Sequence, residues 1–362
     1  MEGVYSMAWI ITLIPISLIL VSLAKRLPNT IESLYSIGVY RILSQPLSKL
    51  TGIFPFSLGE FLFYGFVVWI GFMIFTIIKA LITYDKKLIL NAIKRTAIVL
   101  SILLFSFVSL WGLNYYRLPL SKTMNLNTMN YSKEDLEELC VYLIHKANSY
   151  RNDVIEDSRG VMKLSQGKRN ALFKAYSGYE SLSREYPIFR GDYGKPKIVI
   201  TSRFMSYAGI AGIFFPFTIE ANVNGDVPDA VFPSNTAHEM AHQRGYARED
   251  EANFISFLAC ISNDDIEYKY SGTLLALIHS INALYRADSE SAAKLVSQYS
   301  PGVKRDLADI NAYWDKFEGP VERASTKINN TYLKANNQKD GVQSYGRMVD
   351  LLLAYYKSKI LD

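Results

Sequence analysis

Histidine is scarce in this chain, with four copies among 362 residues, and cysteine is scarcer still, with two. Cys140 and Cys260 both lie on apolar faces of helical segments, where a small hydrophobe packs, so two buried thiols are expected rather than a disulfide. No glycine-rich loop follows a strand-like segment, which removes the phosphate cradle of a nucleotide hydrolase and leaves no nucleotide partner to expect. The formal net charge of +5 gathers into no basic stripe, and no zinc-finger or RNA-recognition signature appears, so no nucleic-acid partner is expected either. Repeats and low-complexity tracts are absent as well. Charge itself is nearly missing from three long stretches of the first third.

Residues 7–24, MAWIITLIPISLILVSLA, carry no charge and are long enough to cross a hydrocarbon core of roughly 30 Å. A cleavable signal peptide is disfavoured: no lysine or arginine precedes the run, no small-residue cleavage site follows it, and more apolar runs come after. Residues 61–84 contain one charge, Lys79, near an end where it can snorkel, and residues 96–114 contain none. Three transmembrane helices and a lipid bilayer as partner follow. Lys79, Lys86, Lys87, Lys94 and Arg95 crowd the second loop, whereas Lys25, Arg26, Arg41 and Lys49 are spread along a longer first loop that also holds Glu32 and Glu60. That density favours a cytoplasmic second loop and an extracytoplasmic remainder of the chain, although the lack of basic residues before the first span argues the other way.

From Tyr116 onward charges become frequent and no apolar run reaches spanning length. The expected organisation is therefore a membrane domain over 1–116 and a soluble domain over 117–362. Residues 133–150 and 167–186 show helical periodicity, with Leu136, Leu139, Cys140 and Leu143 on one face of the first. KIVIT (197–201) and GIFFPFTIEANVN (212–224) are β-rich, and helices resume at 249, broken at Gly272, Pro301 and Gly319. The fold class expected is an α-helical membrane anchor followed by a mostly helical α+β domain with a small sheet.

Two of the four histidines stand together in TAHEMAHQRGYAREDEANF, residues 236–254. Pro233 and Ser234 suggest a helix start, with Ser234 as N-cap, and Gly245 a stop, so one helix is expected over Asn235–Arg244. Its spacing puts His238 and His242 one turn apart, where both imidazoles can reach one ion, and puts Glu239 next to them without ligating. This is the HExxH arrangement of zinc hydrolases. One Zn2+ held by neutral imidazoles and a carboxylate keeps a position open for water, and Glu239 is placed to act as general base and then acid. The third ligand is expected from the next helix: Glu249, which opens an ExxAN pattern, or Glu251, which can instead orient a histidine. A third histidine of the metzincin type is absent, because Arg248 occupies its place. His145 and His279 stand alone in amphipathic helices and suit core or surface roles.

Further candidates sit on either side. GIFFPFTIEANVN is similar to the edge strand that zinc peptidases lay beside their active-site helix, so Glu220 and Asn222 either line a substrate cleft or cap a strand. Tyr345, with Arg347, precedes the core-like Leu351, Leu352, Tyr355 and Tyr356; it either supplies an oxyanion donor or helps lock the last helix.

Taken together, three amino-terminal spans, GLNYYRLPL (112–120), FTIEANVN, HEMAHQRGYAREDEANF and SYGRMVDLLLAYY (344–356) resemble the bacterial membrane family DUF3810 over nearly the full length. The resemblance implies a membrane-anchored, gluzincin-like (zincin-like) domain facing outward from the cytoplasmic membrane, and supplies no substrate. The expected activity is a zinc metallopeptidase acting on peptides or proteins. A non-catalytic zinc-binding sensor or assembly scaffold is the rival, and a hydrolase of another amide, such as a cell-wall cross-link, would share the mechanism.

Overall fold

The structure is a computed structural model that describes residues 8–128, 131–338 and 347–359. Its first third contains α1 (Leu13–Arg26), α2 (Tyr40–Gly52), α3 (Leu58–Ile82) and α4 (Lys86–Leu110). Trp9–Arg26, Leu58–Ile82 and Lys86–Leu110 are long and apolar enough to cross a membrane, and side chains such as Phe61, Val68, Phe75 and Ile82 point outward. Water does not tolerate such a surface, so the chain is a membrane-associated protein.

The caps set where these helices begin. Ser57 accepts a hydrogen bond from the Glu60 amide, and α3 starts before the apolar run expected at 61–84. Asp85 accepts from the Leu88 amide, so α4 takes in Lys86, Lys87, Lys94 and Arg95 before the apolar stretch expected at 96–114. It ends at Leu110, and the chain tightens into a 3-10 turn over Gly112–Tyr116.

The long first loop is helical too, which apolar run length alone does not reveal. Residues 28–39 lead as continuous helix, including a π stretch at Ile31–Val39, into α2. Glu32, Ser36, Tyr40, Ser44, Ser48 and Thr51 form its buried face, while Leu34, Ile42, Leu50 and Ile53 face out. Polar inside and apolar outside reverses the pattern of a water-facing helix and suits one lying at a bilayer.

Beyond Arg117 the helices are α5 (Lys133–Asp153), α6 (Gly167–Glu185), α7 (Ser202–Tyr207), α8 (Phe232–Gln243), α9 (Glu249–Ile261), α10 (Ile266–Ala287), α11 (Ser289–Val296), α12 (Pro301–Asp315), α13 (Pro320–Ala335) and α14 (Met348–Lys359). The strands β1 (Lys197–Ile198), β2 (Gly212–Phe215) and β3 (Glu220–Val223) form one small sheet of order β1-β3-β2. β1 runs parallel to β3, and β2 pairs antiparallel to it with Gly212 opposite Val223. The protein is thus mostly helical with a small sheet, as expected. α8, α9 and α10 pack on one another and on α5 and α6, burying Leu143, Met240, Phe254, Leu258, Leu274 and Leu277. Cys140 and Cys260 are free and buried in that core.

Contacts cross residue 116 freely, so the expected division between 1–116 and 117–362 is not a break in packing. Arg117 donates Nη2 to Glu32 Oε1 at 2.6 Å and Nε to Oε2 at 2.8 Å, both side chains nearly inaccessible. The Tyr40 hydroxyl donates to the Gln243 carbonyl at 2.9 Å. Glu60, in the first turn of α3, accepts the amides of Ile200 and Thr201. Removing one partner of a buried pair strands the other charge. Arg117→Ala is therefore expected to lower stability by about 3 to 5 kcal/mol in chemical unfolding of the detergent-solubilised chain; a loss below about 1 kcal/mol, the range of an exposed pair, would show that water reaches Glu32.

Candidate metal centre

The site is built on α8. Pro233 lies in its first turn, where its missing N–H costs nothing, and lets the helix begin at Phe232, earlier than the Asn235 expected. Ser234 is not the N-cap: it sits inside the helix, donating to the Val231 carbonyl and accepting from Ser271 Oγ, each at 3.0 Å. At the other end Gly245 adopts a φ of +89°. Its amide bonds the His242 carbonyl at 2.8 Å, and the Tyr246 amide reaches back to Ala241 at 3.3 Å. This is a Schellman turn, and only a residue without a Cβ takes that φ freely.

The turn also orients a histidine. It brings the Tyr246 carbonyl to within 2.7 Å of His242 Nδ1, and a carbonyl can only accept, so Nδ1 carries a hydrogen and Nε2 is the ring atom left to ligate. His238 Nδ1 lies 2.8 Å from Asn253 Oδ1, one turn along α9 from Glu249. Both Nε2 atoms then face Glu249, at 3.2 Å from His238 and 3.6 Å from His242. Two ligands of a tetrahedral ion held at about 2.05 Å stand roughly 3.3 Å apart. His238, His242 and Glu249 each offer a ligand atom, all within 4.8 Å of one another, so the donor set fits a single divalent ion of zinc's preferences.

Glu251 does not join them. Its Oε1 accepts from the Leu120 amide and from Arg248 Nη1, both at 2.8 Å. It holds the chain after Arg117 and orients neither histidine. The helical period separates it from Glu249 by about 200° around α9.

Glu239 is 5% exposed, packed against the edge strand β2. A Cβ on Gly212 would lie 2.5 Å from Glu239 Oε1, so glycine there makes room for the carboxylate. Its Oε2 is buried with no hydrogen-bond partner among the described residues, an atom left facing a group that protein does not provide. Burial pushes the Glu239 carboxyl up to about 7 against the pull of the two histidines. Burial acts the same way on Glu249, but the two imidazoles outweigh it and hold that carboxylate well below its usual range. Glu249 in turn lifts His242 to about 9 against burial.

Aromatic side chains wall the group. Trp111, the first residue after α4, meets the His242 ring edge-on at 6.1 Å, and Phe214 lies 6.4 Å from it. Tyr115 and Tyr332 share a hydrogen bond of 2.9 Å between their hydroxyls, and Glu249 acts electrostatically on both. Residue types alone do not mark these four; the one signal was a dense aromatic run, WGLNYY, at the exit of an apolar helix.

Other candidates fall elsewhere. Glu220 is buried in an ion pair with Lys197 and accepts the Leu58 and Gly59 amides, so its carboxylate ties the sheet to the start of α3 and does not line a cleft. Asn222 is 1% exposed and donates to the Glu220 carbonyl, again away from any opening. Both alternate along β3 with Ala221 and Val223, which fill the helical core. Tyr345 lies outside the described residues. Arg347 bonds Asp250 at 3.1 Å, fastening the approach to α14 onto α9. His145 is exposed and His279 is partly buried in α10; neither joins the group.

A family model described as a protein of unknown function, DUF3810, matches residues 35–353. The chain belongs to the DUF3810 family. No curated protein and no solved structure matches it. The DUF3810 description assigns no activity, so chemistry must be argued from the geometry.

Gly245→Ala carries a test of that geometry. The new Cβ would meet the Tyr40 ring at 3.0 Å in a conformation that already disfavours alanine, so a loss of more than about 1 kcal/mol is expected. Unfolding midpoints equal to those of the unaltered protein would mean that the turn holding Tyr246 against His242 is free to rearrange.

Proposed function

We propose that this chain is a membrane-anchored zinc metallopeptidase in which His238, His242 and Glu249 hold one ion and Glu239 moves the proton. The observation that carries the reading is the convergence of two Nε2 atoms and one carboxylate, with both Nδ1 atoms already engaged. When bound, zinc supplies Lewis acidity that makes water a usable nucleophile near neutral pH. Glu239, beside the group, takes a proton from the attacking water and returns it to the leaving nitrogen. Trp111 and Phe214 keep bulk water off one side of the imidazoles.

The position of β2 supports a zincin-like fold. It is an outer strand of the sheet and touches Glu239 through Gly212, so an extended peptide can add to its free edge within reach of the carboxylate. This replaces Glu220 and Asn222 as the substrate-facing part of the hairpin. The rival, a sensor or scaffold with a structural zinc, needs a fourth protein ligand. Among the described residues no fourth histidine, cysteine or carboxylate joins the three.

For orientation we favour an extracytoplasmic site. The start of the first span, at Trp9, and the turn between α3 and α4 lie at one end of the spans, and the residues beyond Arg117 at the other. Two cations of the first loop are engaged by residues beyond Arg117: Arg41 donates to the Ile188 carbonyl and Lys49 pairs with Asp192. Lys79, Lys86 and Lys87 gather near the turn between α3 and α4, on the side expected to be cytoplasmic.

Because Tyr35, Tyr40, Val108 and Trp111 pack in one cluster with Tyr193, Phe214, Ile219 and Ala247, the test needs the full chain in detergent or bilayers. Zinc content near one ion per chain, cleavage of casein or a peptide library, and loss of cleavage with zinc retained in Glu239→Gln are the expected results. Zinc bound by both proteins without cleavage by either would favour the scaffold, and no zinc in either would overturn the site. Two variants refine this. Asn253→Leu frees His238 Nδ1 and is expected to weaken zinc about 10- to 100-fold in chelator competition. Gly212→Ala displaces the Glu239 carboxylate and is expected to cut cleavage while leaving zinc affinity unchanged.

A further inference from the structure

Helix α13 is built inside out. Leu333 is its one buried residue, the partly covered positions Glu322, Ser325 and Asn330 are polar, and Val321 and Ile328 are 60% and 71% exposed. Arg323, Lys327 and Lys334 form an exposed stripe beside that apolar face, with no carboxylate partner among the described residues. Such a pairing of apolar and basic stripes is the signature of a helix lying in a bilayer interface.

Its two ends fix where it lies. At the amino end Glu322 rests on Gly209, its Cγ 3.3 Å from where a Cβ would stand. Gly209 follows the segment that Ile200 and Thr201 bond to Glu60, in the first turn of α3. At the carboxyl end the Tyr332 ring meets Phe107, in the last turn of α4, at 6.3 Å. The first turn of α3 and the last turn of α4 are the same-side ends of two candidate spans, so α13 bridges their mouths. In doing so it runs from the neighbourhood of Gly212, which cradles Glu239, to Tyr332, whose hydroxyl bonds Tyr115 beside Glu249.

We propose that the outer face of α13 docks on an anionic lipid surface, with Val321, Ala324 and Ile328 among the acyl chains and Arg323, Lys327 and Lys334 at phosphate level. The lipid is the occupant because the face continues the lipid-facing surface of α3 and α4 and its free charges are all positive. The surface is independent of the peptidase reading; it means that whatever enters beneath α13 approaches along the bilayer.

The test uses the full chain reconstituted in bilayers. Cys140 and Cys260 are buried, so a nitroxide attached to Ile328→Cys labels one site. In phosphatidylglycerol-containing bilayers the nitroxide is expected to collide with oxygen several-fold more readily than with a water-soluble nickel chelate, and one at Lys327→Cys to show the reverse. In pure phosphatidylcholine the Ile328 preference is expected to shrink. Preference for nickel at Ile328 in both bilayers would overturn the docking, and equal immersion in both would overturn the assignment to anionic headgroups. Val321→Cys carries the same readout should Ile328→Cys fold poorly.

Discussion

Two imidazoles one helical turn apart can serve a common partner only if their outer nitrogens are already satisfied. Here a backbone carbonyl and an asparagine oxygen do that, and each comes from a different device. The Tyr246 carbonyl is aimed by the glycine turn that ends α8. Asn253 is aimed by the packing of α9 across α8. With Nδ1 of both rings engaged, the two Nε2 atoms have one direction left, and Glu249 sits in it.

The residues beyond Arg117 are not self-sufficient around this centre. Trp111 and Tyr115 wall the histidines and belong to the exit of the last apolar helix. Tyr40, Glu32 and Thr51 reach up from a helix whose outer side is apolar, and they bond α8, Arg117 and the sheet hairpin. Burying these polar groups is tolerable because each finds a partner. The membrane-side helices act as one floor of the site, and a short sheet forms its side wall through Gly212.

The inverted helices explain why hydropathy alone under-describes this chain. Helix α2 with its lead-in and helix α13 alternate polar and apolar residues at helical spacing, as a soluble helix does. Periodicity reports that two faces differ and is silent about which one is buried. Only the contacts of Glu32, Ser44 and Ser48 in one case, and the exposure of Val321 and Ile328 in the other, settle the direction.

What the sequence determined by itself was local. Three long apolar runs, the pairing of His238 with His242 and Glu239, and the stop at Gly245 follow from length, helical spacing and the φ that glycine permits. The choice between Glu249 and Glu251 could not, because two carboxylates near the start of a helix differ only in which neighbour each faces. Tertiary structure decided it by giving Glu251 to Leu120 and Arg248 and leaving Glu249 to the histidines. The same holds for Glu220, which along the chain suits a cleft or a strand cap equally, until Lys197 and the start of α3 are placed against it. Long-range partners are invisible along the chain, and they decide which polar groups hold the fold and which remain free for chemistry.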